Sequence, residues 1–282
     1  MATITTLFDN EGGLNRTYYK AADIIPQALV LTQATYAGSV DGDKPKVVVP
    51  YVDTPDDTQV VDEGGTIKES DAAIKEAAIT TVKVPQLAVL SNENITEDEL
   101  LKMVQNALGN AVTDKADALF LAAQAPTEGQ SGLTGLFNTK NMLDGGTLDA
   151  KSGLDPIIKA MGDIGSNNGT PTALIMNPAT WARLLTIKLS DGKPLITPDV
   201  ANTPTPSLYG LPVIQNRQAP TGQILVNSMS EVIAVVSQMT VTGSSERYFE
   251  RDSFGIRLTM RLGWTVIHPN RLAKITVNTT MA

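Results

Sequence analysis

The chain holds few of the side chains that carry covalent catalysis. It has one histidine, His268, which precedes Pro269, and no cysteine among its 282 residues. Acyl-transfer chemistry needs a positioned nucleophile and base, so we interpret His268 as a structural histidine in a loop or at a strand end. No GxxxxGKS or GxxxxGKT motif occurs, and Gly12-Gly13 and Gly64-Gly65 lack the strand and helix of a phosphate-binding loop. We therefore expect no enzymatic activity, no catalytic residues and no cofactor.

Acidic side chains cluster in three short segments. A hard cation could use carboxylates of this kind, but the spacing of an EF-hand is not present, and an acidic turn that faces water is the favoured interpretation. We therefore expect no metal site. The clusters are Asp41 with Asp43, Asp56 with Asp57, and Asp62 with Glu63.

Charged residues on a polar loop and near the last long strand are candidates for contacts between subunits. Loop charges usually face water, but in a chain that assembles they could form ion pairs between copies. Arginines on one face of a strand suit two-point contacts with carboxylates, although a solvated sheet face explains them equally well. The candidates are Glu63, Lys68, Glu69, Asp71, Lys75, Arg247, Arg251, Arg257 and Arg261.

Composition and charge limit the possible function classes. The chain is 42% hydrophobic, which is enough for one large domain or two coupled domains. Its formal net charge is −8, so a tight grip on nucleic acid through phosphates is not expected. We also expect no membrane-spanning segment and no secretory signal. The absence of cysteine excludes disulfides and thiolate metal sites and fits a reducing compartment.

One long helix, predicted from Thr96 to about Ala125, is the element around which the chain is organised. Thr96 and Glu99 have the spacing of a capping box, and Pro126 ends the pattern. Apolar residues mark one face at helical spacing: Leu101, Val104, Leu108, Val112 and Leu119. The polar residues predicted to face outward are Lys102, Gln105, Asn106, Lys115 and Asp117.

The segments before the helix indicate an arm and an extended loop. Residues 14–25 favour a short helix that Pro26 ends, within an arm that could pack on its own domain or on a neighbour. Residues 46–52 and 79–90 are strand-like, with Pro85 favouring an edge position or a bulge. The long polar stretch between them indicates a hairpin-like loop. On an isolated domain this loop has little to pack against, which favours packing on another copy.

The segments after the helix indicate a small α/β unit and closing strands. Residues 141–153 are interpreted as a linker. Asp155-Pro156 and Asn177-Pro178 each predict a helix start, and short strands are predicted at 173–176, 208–214, 223–227 and 232–236. Residues 255–267 alternate with apolar side chains on one face, and 272–277 predict a last strand that returns with them to the first part of the chain.

In this order the segments resemble the major capsid protein of tailed double-stranded-DNA bacteriophages. Several pieces carry the resemblance. They are the acidic loop 60–71 ending in Glu-Ser-Asp, the strand and helix start 82–101, the Gly-Leu turn 132–136, the strand–helix step 173–185, the Leu-x-Gly-x-Pro-Val segment 208–213, and the closing strand 249–268 with Arg261-Leu262-Gly263.

The resemblance implies an α+β phage major-capsid fold. It divides the chain into an N-terminal arm (1–30), a strand and extended β loop (46–90), a peripheral domain with a long spine helix (91–150), an axial α/β domain (151–245) and closing strands of the peripheral domain (246–282). Relatives with a long cleaved scaffolding segment differ from this sequence, which begins at Met1 with the arm. That start implies a separate scaffolding protein or none, if Met1 is native. The lysine cross-link of some relatives is not carried over to Lys68 or Lys75.

The resemblance also implies a structural function. It implies pentamers and hexamers of this chain in an icosahedral shell around packaged double-stranded DNA, which is enclosed without sequence-specific binding. Scaffolding, portal and decoration proteins are possible partners, and the location is the virion, after assembly in the host cytoplasm. An encapsulin-like nanocompartment shell is the alternative with the same fold. A hydrolase or binding domain in the α/β unit is a third interpretation, which the shortage of histidine and cysteine disfavours.

Overall fold

The computed structural model describes residues 16–21, 25–40, 44–52, 60–66, 74–91, 98–127, 132–149, 152–187, 196 and 206–278. These residues form two six-stranded sheets, a separate two-stranded hairpin and four α-helices. Several predictions from sequence fall outside the described residues: the arm before residue 16, the acidic residues Asp41, Asp43, Asp56 and Asp57, the loop residues Lys68, Glu69 and Asp71, and the capping residue Thr96.

The first sheet is built around one long strand. It contains β1 (Arg16–Tyr19), β2 (Thr35–Ser39), β5 (Val82–Ser91), β11 (Val232–Val236), β12 (Met239–Tyr248) and β13 (Ser253–Val266). Leu262 of β13 pairs with both Val236 and Val82, so β11 and β5 lie on opposite edges of β13. No described strand pairs with the other edge of β5, which confirms the edge position predicted from Pro85.

A long helix covers one face of this sheet. Helix α1 (Leu29–Thr32) precedes it, and α2 (Asp98–Ala122) is the predicted long helix, about 37 Å in length. Phe120 packs edge to face on Trp264 of β13, with ring centroids 5.2 Å apart. At the end of the helix, the Asn138 amide donates to the carbonyls of Ala122 and Ala123, and Gly135 N–H also donates to the Ala123 carbonyl.

The second sheet has its own core. In spatial order it contains β6 (Leu143–Leu148), β14 (Ala273–Val277), β10 (Gln223–Asn227), β7 (Ala173–Met176), β9 (Leu211–Gln215) and β8 (Ser207–Leu208). Helices α3 (Asp155–Ser166) and α4 (Pro178–Thr186) bury Ile157, Ile164 and Leu184 against one face of it. The start of α4 confirms the prediction, because the Asn177 side chain accepts a hydrogen bond from Ala179 N–H.

The remaining strands form the predicted hairpin. Antiparallel β3 (Lys46–Val52) and β4 (Ile74–Thr80) pair with each other and with no other described strand. Near its base, Ile79 packs with Ile233 and Val235 of the first sheet. The hairpin approaches so closely that a Cβ added at Gly263 would lie 2.4 Å from the Thr80 carbonyl oxygen, and this contact requires glycine.

Two local predictions are wrong. Residues 16–19 are not helical; they form β1, which pairs with β12 more than 200 residues later in the chain, a partner that local periodicity does not reveal. Residues 143–148 are not a linker; they form β6, parallel to β14. Its glycines weaken the strand signal, but a Cβ at Gly145 would lie 2.5 Å from Ile275, so glycine permits the packing.

Sheet membership does not follow the predicted division of the chain into domains at residues 245 and 246, and that division stays a prediction. β11 and residues 239–245 of β12 lie in the predicted axial range, but both strands pair in the first sheet. β14, which was assigned to the closing strands of the peripheral domain, pairs in the second sheet. The reason is that the chain crosses between the sheets after β10 and again after β13, and the amino-acid composition does not change at these two crossings.

The start of helix α3 lies at the predicted Asp155-Pro156 pair. Asp155 is the first helical residue, and Leu154 is the N-cap residue.

Candidate assembly surface

The hairpin exposes apolar side chains on the face that points away from the first sheet. We call Val48, Val52 and Ile74 the outer hairpin face; they are 49%, 58% and 72% exposed. Val52 and Ile74 are directly opposite each other in the strand pairing. The alternate residues Val47 and Val49 pack towards the first sheet, so the period-two pattern of β3 places one valine face inward and one outward.

The described part of the loop between the hairpin strands is polar and exposed. Residues 62–65 form a turn in which Gly65 N–H donates to the Asp62 carbonyl at 2.9 Å. Gly64 has a φ of +83°, which glycine adopts without strain. Glu63, a predicted contact residue, lies exposed in this turn, and Lys75 lies exposed on β4. Both positions are compatible with contact to another copy, which stays a prediction.

The four candidate arginines do not share one strand face. Arg257 and Arg261 lie on the same face of β13, as predicted, with Ile256, Leu258, Met260 and Leu262 buried on the other. Arg247 ends near the ring of Tyr248, 5.5 Å from its centroid, and Arg251 lies in a 3₁₀ turn rather than on a strand.

Arg261 has a role within the subunit. Its Nη1 donates to the carbonyl and hydroxyl oxygens of Thr81, at 3.3 and 3.2 Å. Thr81 joins β4 to β5, and its own hydroxyl donates to the Lys44 carbonyl. Arg261 therefore fastens the base of the hairpin to β13, whereas Arg247, Arg251 and Arg257 are exposed and remain candidates for contact between subunits.

His268 lies after β13, as predicted, in a polar cluster that the sequence does not reveal. Its Nδ1 lies 2.7 Å from Glu231 Oε2, and Arg271 Nη1 donates to Glu231 Oε1 at 3.0 Å. The ring of Tyr51 on β3 packs against the imidazole. Glu231 precedes His268 by 37 residues in the chain, and no motif or periodicity links the two.

Asp117 corrects the predicted outward face of the long helix. It is only 5% exposed and accepts hydrogen bonds from Leu29 N–H and from the Asn216 amide, both at 2.7 Å. Burial raises the pKa of the Asp117 carboxyl, the two hydrogen bonds oppose this rise, and the charge of Asp114 adds to it. Asp117 thus joins the spine helix to α1 and to the loop after β9.

Metal sites and membrane-spanning helices are absent from the described residues. Within them, no group of three or more histidine or acidic side chains is placed to hold a metal ion. None of the described helices is long and apolar enough to cross a membrane.

Comparison with solved structures identifies the class of fold. The chain matches a protein of Gordonia phage Cozz with a TM-score of 0.68 at 16% identity, covering 96% of this chain and 90% of that one. It matches a protein of Mycobacterium phage Bobi with a TM-score of 0.68 at 16% identity, covering 98% of both chains. The capsid of the native GTA particle computed with C5 symmetry matches with a TM-score of 0.64 at 15% identity, over 98% and 97% of the two chains.

These TM-scores, over nearly the whole chain, establish a shared α+β capsid fold, which confirms the predicted fold class. Family comparison goes further, because the phage capsid family matches residues 31–277. The chain belongs to the phage capsid family, and the resemblance drawn from its sequence is confirmed. It is a structural capsid protein of the virion. Among curated proteins, none is significantly similar in sequence.

Proposed function

We propose that copies of this chain assemble into pentamers and hexamers that close into an icosahedral shell around packaged double-stranded DNA. The observation that carries this proposal is the outer hairpin face. Two-stranded hairpins are marginally stable in water by themselves, and in the part of the chain that the structure describes Val48, Val52 and Ile74 are exposed. A second copy that covers them would stabilise both the hairpin and the assembly.

An extended hairpin suits a shell because it overlaps a neighbour. Each overlap buries a modest area, but a subunit within a closed lattice makes many such contacts at once. The exposed charges Glu63, Lys75 and Arg257 would form ion pairs at the edges of these contacts, and Lys68, Glu69 and Asp71 are candidates for the same role. The spine helix α2 would keep the subunit rigid between its contacts.

The charge of the chain supports enclosure of DNA rather than tight binding. With a net charge of −8, the subunit leaves the genome's phosphates to counterions. Scaffolding, portal and decoration proteins are further partners consistent with this role, with assembly in the host cytoplasm and the virion as the final location.

Electron microscopy of the purified protein tests shell formation. We expect closed hollow particles with five-fold and six-fold clusters of subunits. Val52→Glu would place a charge in the outer hairpin face and should prevent closure, whereas Ile158→Glu, at a similarly exposed isoleucine on α3, should leave closure unchanged. Finding only monomers of the wild-type chain under all conditions would contradict the proposal, and normal shells of the Val52→Glu variant would contradict the role of the hairpin.

The contents of particles from producing cells separate the proposal from its alternative. Nuclease-protected double-stranded DNA inside the shells is the expected result. Shells that contain one cellular protein and no DNA would instead indicate an encapsulin-like nanocompartment.

A further inference from the structure

Two short connections between the sheets run side by side at one buried carboxylate. Residues 228–231 carry the chain from β10 to β11, and residues 267–272 carry it from β13 back to β14. Glu231, at the end of the first connection, is only 6% exposed. Its backbone carbonyl accepts a hydrogen bond from Ile267 N–H of the second connection at 2.9 Å. The main chain therefore already ties the two connections together at this residue.

The Glu231 side chain strengthens this tie. Both of its carboxylate oxygens contact basic side chains of the second connection, His268 at 2.7 Å and Arg271 at 3.0 Å. Arg271 Nε in turn donates to the Asn167 carbonyl at the end of α3, at 2.7 Å. Removing the charge from such a buried, bonded carboxylate leaves its partners poorly compensated. Glu231 therefore fixes the positions of both basic side chains.

The hairpin meets the same cluster through an aromatic contact. The rings of Tyr51 and His268 lie at 90° to each other, with centroids 6.2 Å apart. This edge-to-face geometry is favourable for aromatic rings and depends on their orientation. Because Glu231 holds the imidazole in place, it also determines the surface against which Tyr51 packs.

We propose that Glu231 is a positioning residue that couples the packing of the extended hairpin to the junction of the two sheets, through His268 and Tyr51. By the junction we mean residues 228–231 and 267–272. A shift of one sheet relative to the other displaces residues 267–272, moves the imidazole and loosens the hairpin. By reciprocity, a hairpin held on a neighbouring copy stabilises the junction. This consequence for assembly rests on the proposed function, whereas the coupling is a property of the single chain.

Hydrogen–deuterium exchange of unassembled, full-length subunits tests the coupling without requiring a shell. Glu231→Gln keeps the shape of the side chain and removes its charge. We expect amides in β3 and β4 to exchange roughly fivefold faster in this variant, because the hairpin opens locally more often. Asp117→Asn is the matched control, since it neutralises an equally buried carboxylate that bonds to Leu29 and Asn216 instead. No acceleration in Glu231→Gln, or the same acceleration in the control, would overturn the proposal.

Tyr51→Ala tests the coupling in the reverse direction, from the hairpin to the junction. It also tests the proposal if Glu231→Gln fails to fold. Tyr51 lies on the hairpin, outside the two large cores, so the variant should fold and should exchange faster at residues 228–231 and 267–272. The double variant should exchange in β3 and β4 no faster than the faster single variant, because both changes interrupt one route. If the accelerations of the two single variants instead multiply in the double variant, the proposed coupling is overturned. Shells that fail to form while these exchange results hold would count against the proposed function alone.

Discussion

Strand β10 and the β3–β4 hairpin are both rich in aliphatic residues, yet only β10 buries all of them within the chain. β10 lies between β14 and β7, and Ile224, Leu225 and Val226 are fully buried. The hairpin packs one face on the first sheet and leaves the outer hairpin face exposed. Both regions contain aliphatic residues, so their different burial reflects how many faces of each region other elements cover. The outer hairpin face is the surface that a second copy would cover in the proposed assembly.

Replacing one isoleucine in each region tests this comparison most strongly. Ile224→Ala removes a fully buried side chain and should lower the free energy of unfolding by about 2–5 kcal/mol, because it leaves a cavity between packed layers. Ile74→Ala makes the same change at a side chain that is 72% exposed and should alter subunit stability by no more than about 0.5 kcal/mol. Denaturant unfolding of unassembled subunits measures both values. Equal losses at the two sites would show that the hairpin is already covered within the subunit.

The contact at the base of the hairpin gives a second test with a smaller effect. Gly263→Ala forces a Cβ against the Thr80 carbonyl, so the hairpin or β13 must shift, and we expect a loss of about 1–3 kcal/mol. Gly162→Ala on α3 is the matched control. Its Cβ meets no atom within 4 Å, and alanine favours the helix by about 0.5–1 kcal/mol. Thermal unfolding should therefore move in opposite directions for the two variants; a stabilised Gly263→Ala protein would contradict the close approach.

Local patterns in the sequence predict the elements better than their assembly. Alternation from Ile256 to Leu262 predicts the two faces of β13, and Asn177-Pro178 predicts the start of α4; the structure confirms both. Sheet membership depends on pairing between distant segments, as in β1 with β12 and β6 with β14. No local property of the chain encodes these pairings, so the sequence alone does not show which strands share a sheet.

The hydrogen-bond partners of charged side chains are also hard to predict from the sequence. Residue type identifies Arg257 and Arg261 as charges on one strand face, but only the fold shows that Arg261 bonds to Thr81 within the subunit. Glu231 has no sequence signal, because its partners His268 and Arg271 follow 37 and 40 residues later. Asp117 looks like an ordinary surface residue of a helix, yet its partners Leu29 and Asn216 are 88 and 99 residues away.

Asp117 supplies the last test, which has the smallest expected effect. Its site is buried, unlike the outer hairpin face, and it is polar, unlike β10. Its raised pKa means that the folded protein takes up a proton at a higher pH than the unfolded chain does. The cost of the buried charge is therefore fully present above the raised pKa, and it decreases as the pH falls through that value towards the ordinary carboxyl range near 4. Asp117→Asn has no charge to titrate at this position.

The wild-type chain should consequently gain stability relative to Asp117→Asn as the pH is lowered from 7 towards 4. Each unit by which the pKa is raised corresponds to about 1.4 kcal/mol of this difference. Urea unfolding of both proteins at several pH values measures it, and Glu250→Gln, which removes an exposed carboxylate elsewhere in the chain, controls for the change in net charge. A difference that stays constant would show that the hydrogen bonds from Leu29 and Asn216 balance the cost of burial, and a difference that grows in favour of the variant at lower pH would show that they outweigh it.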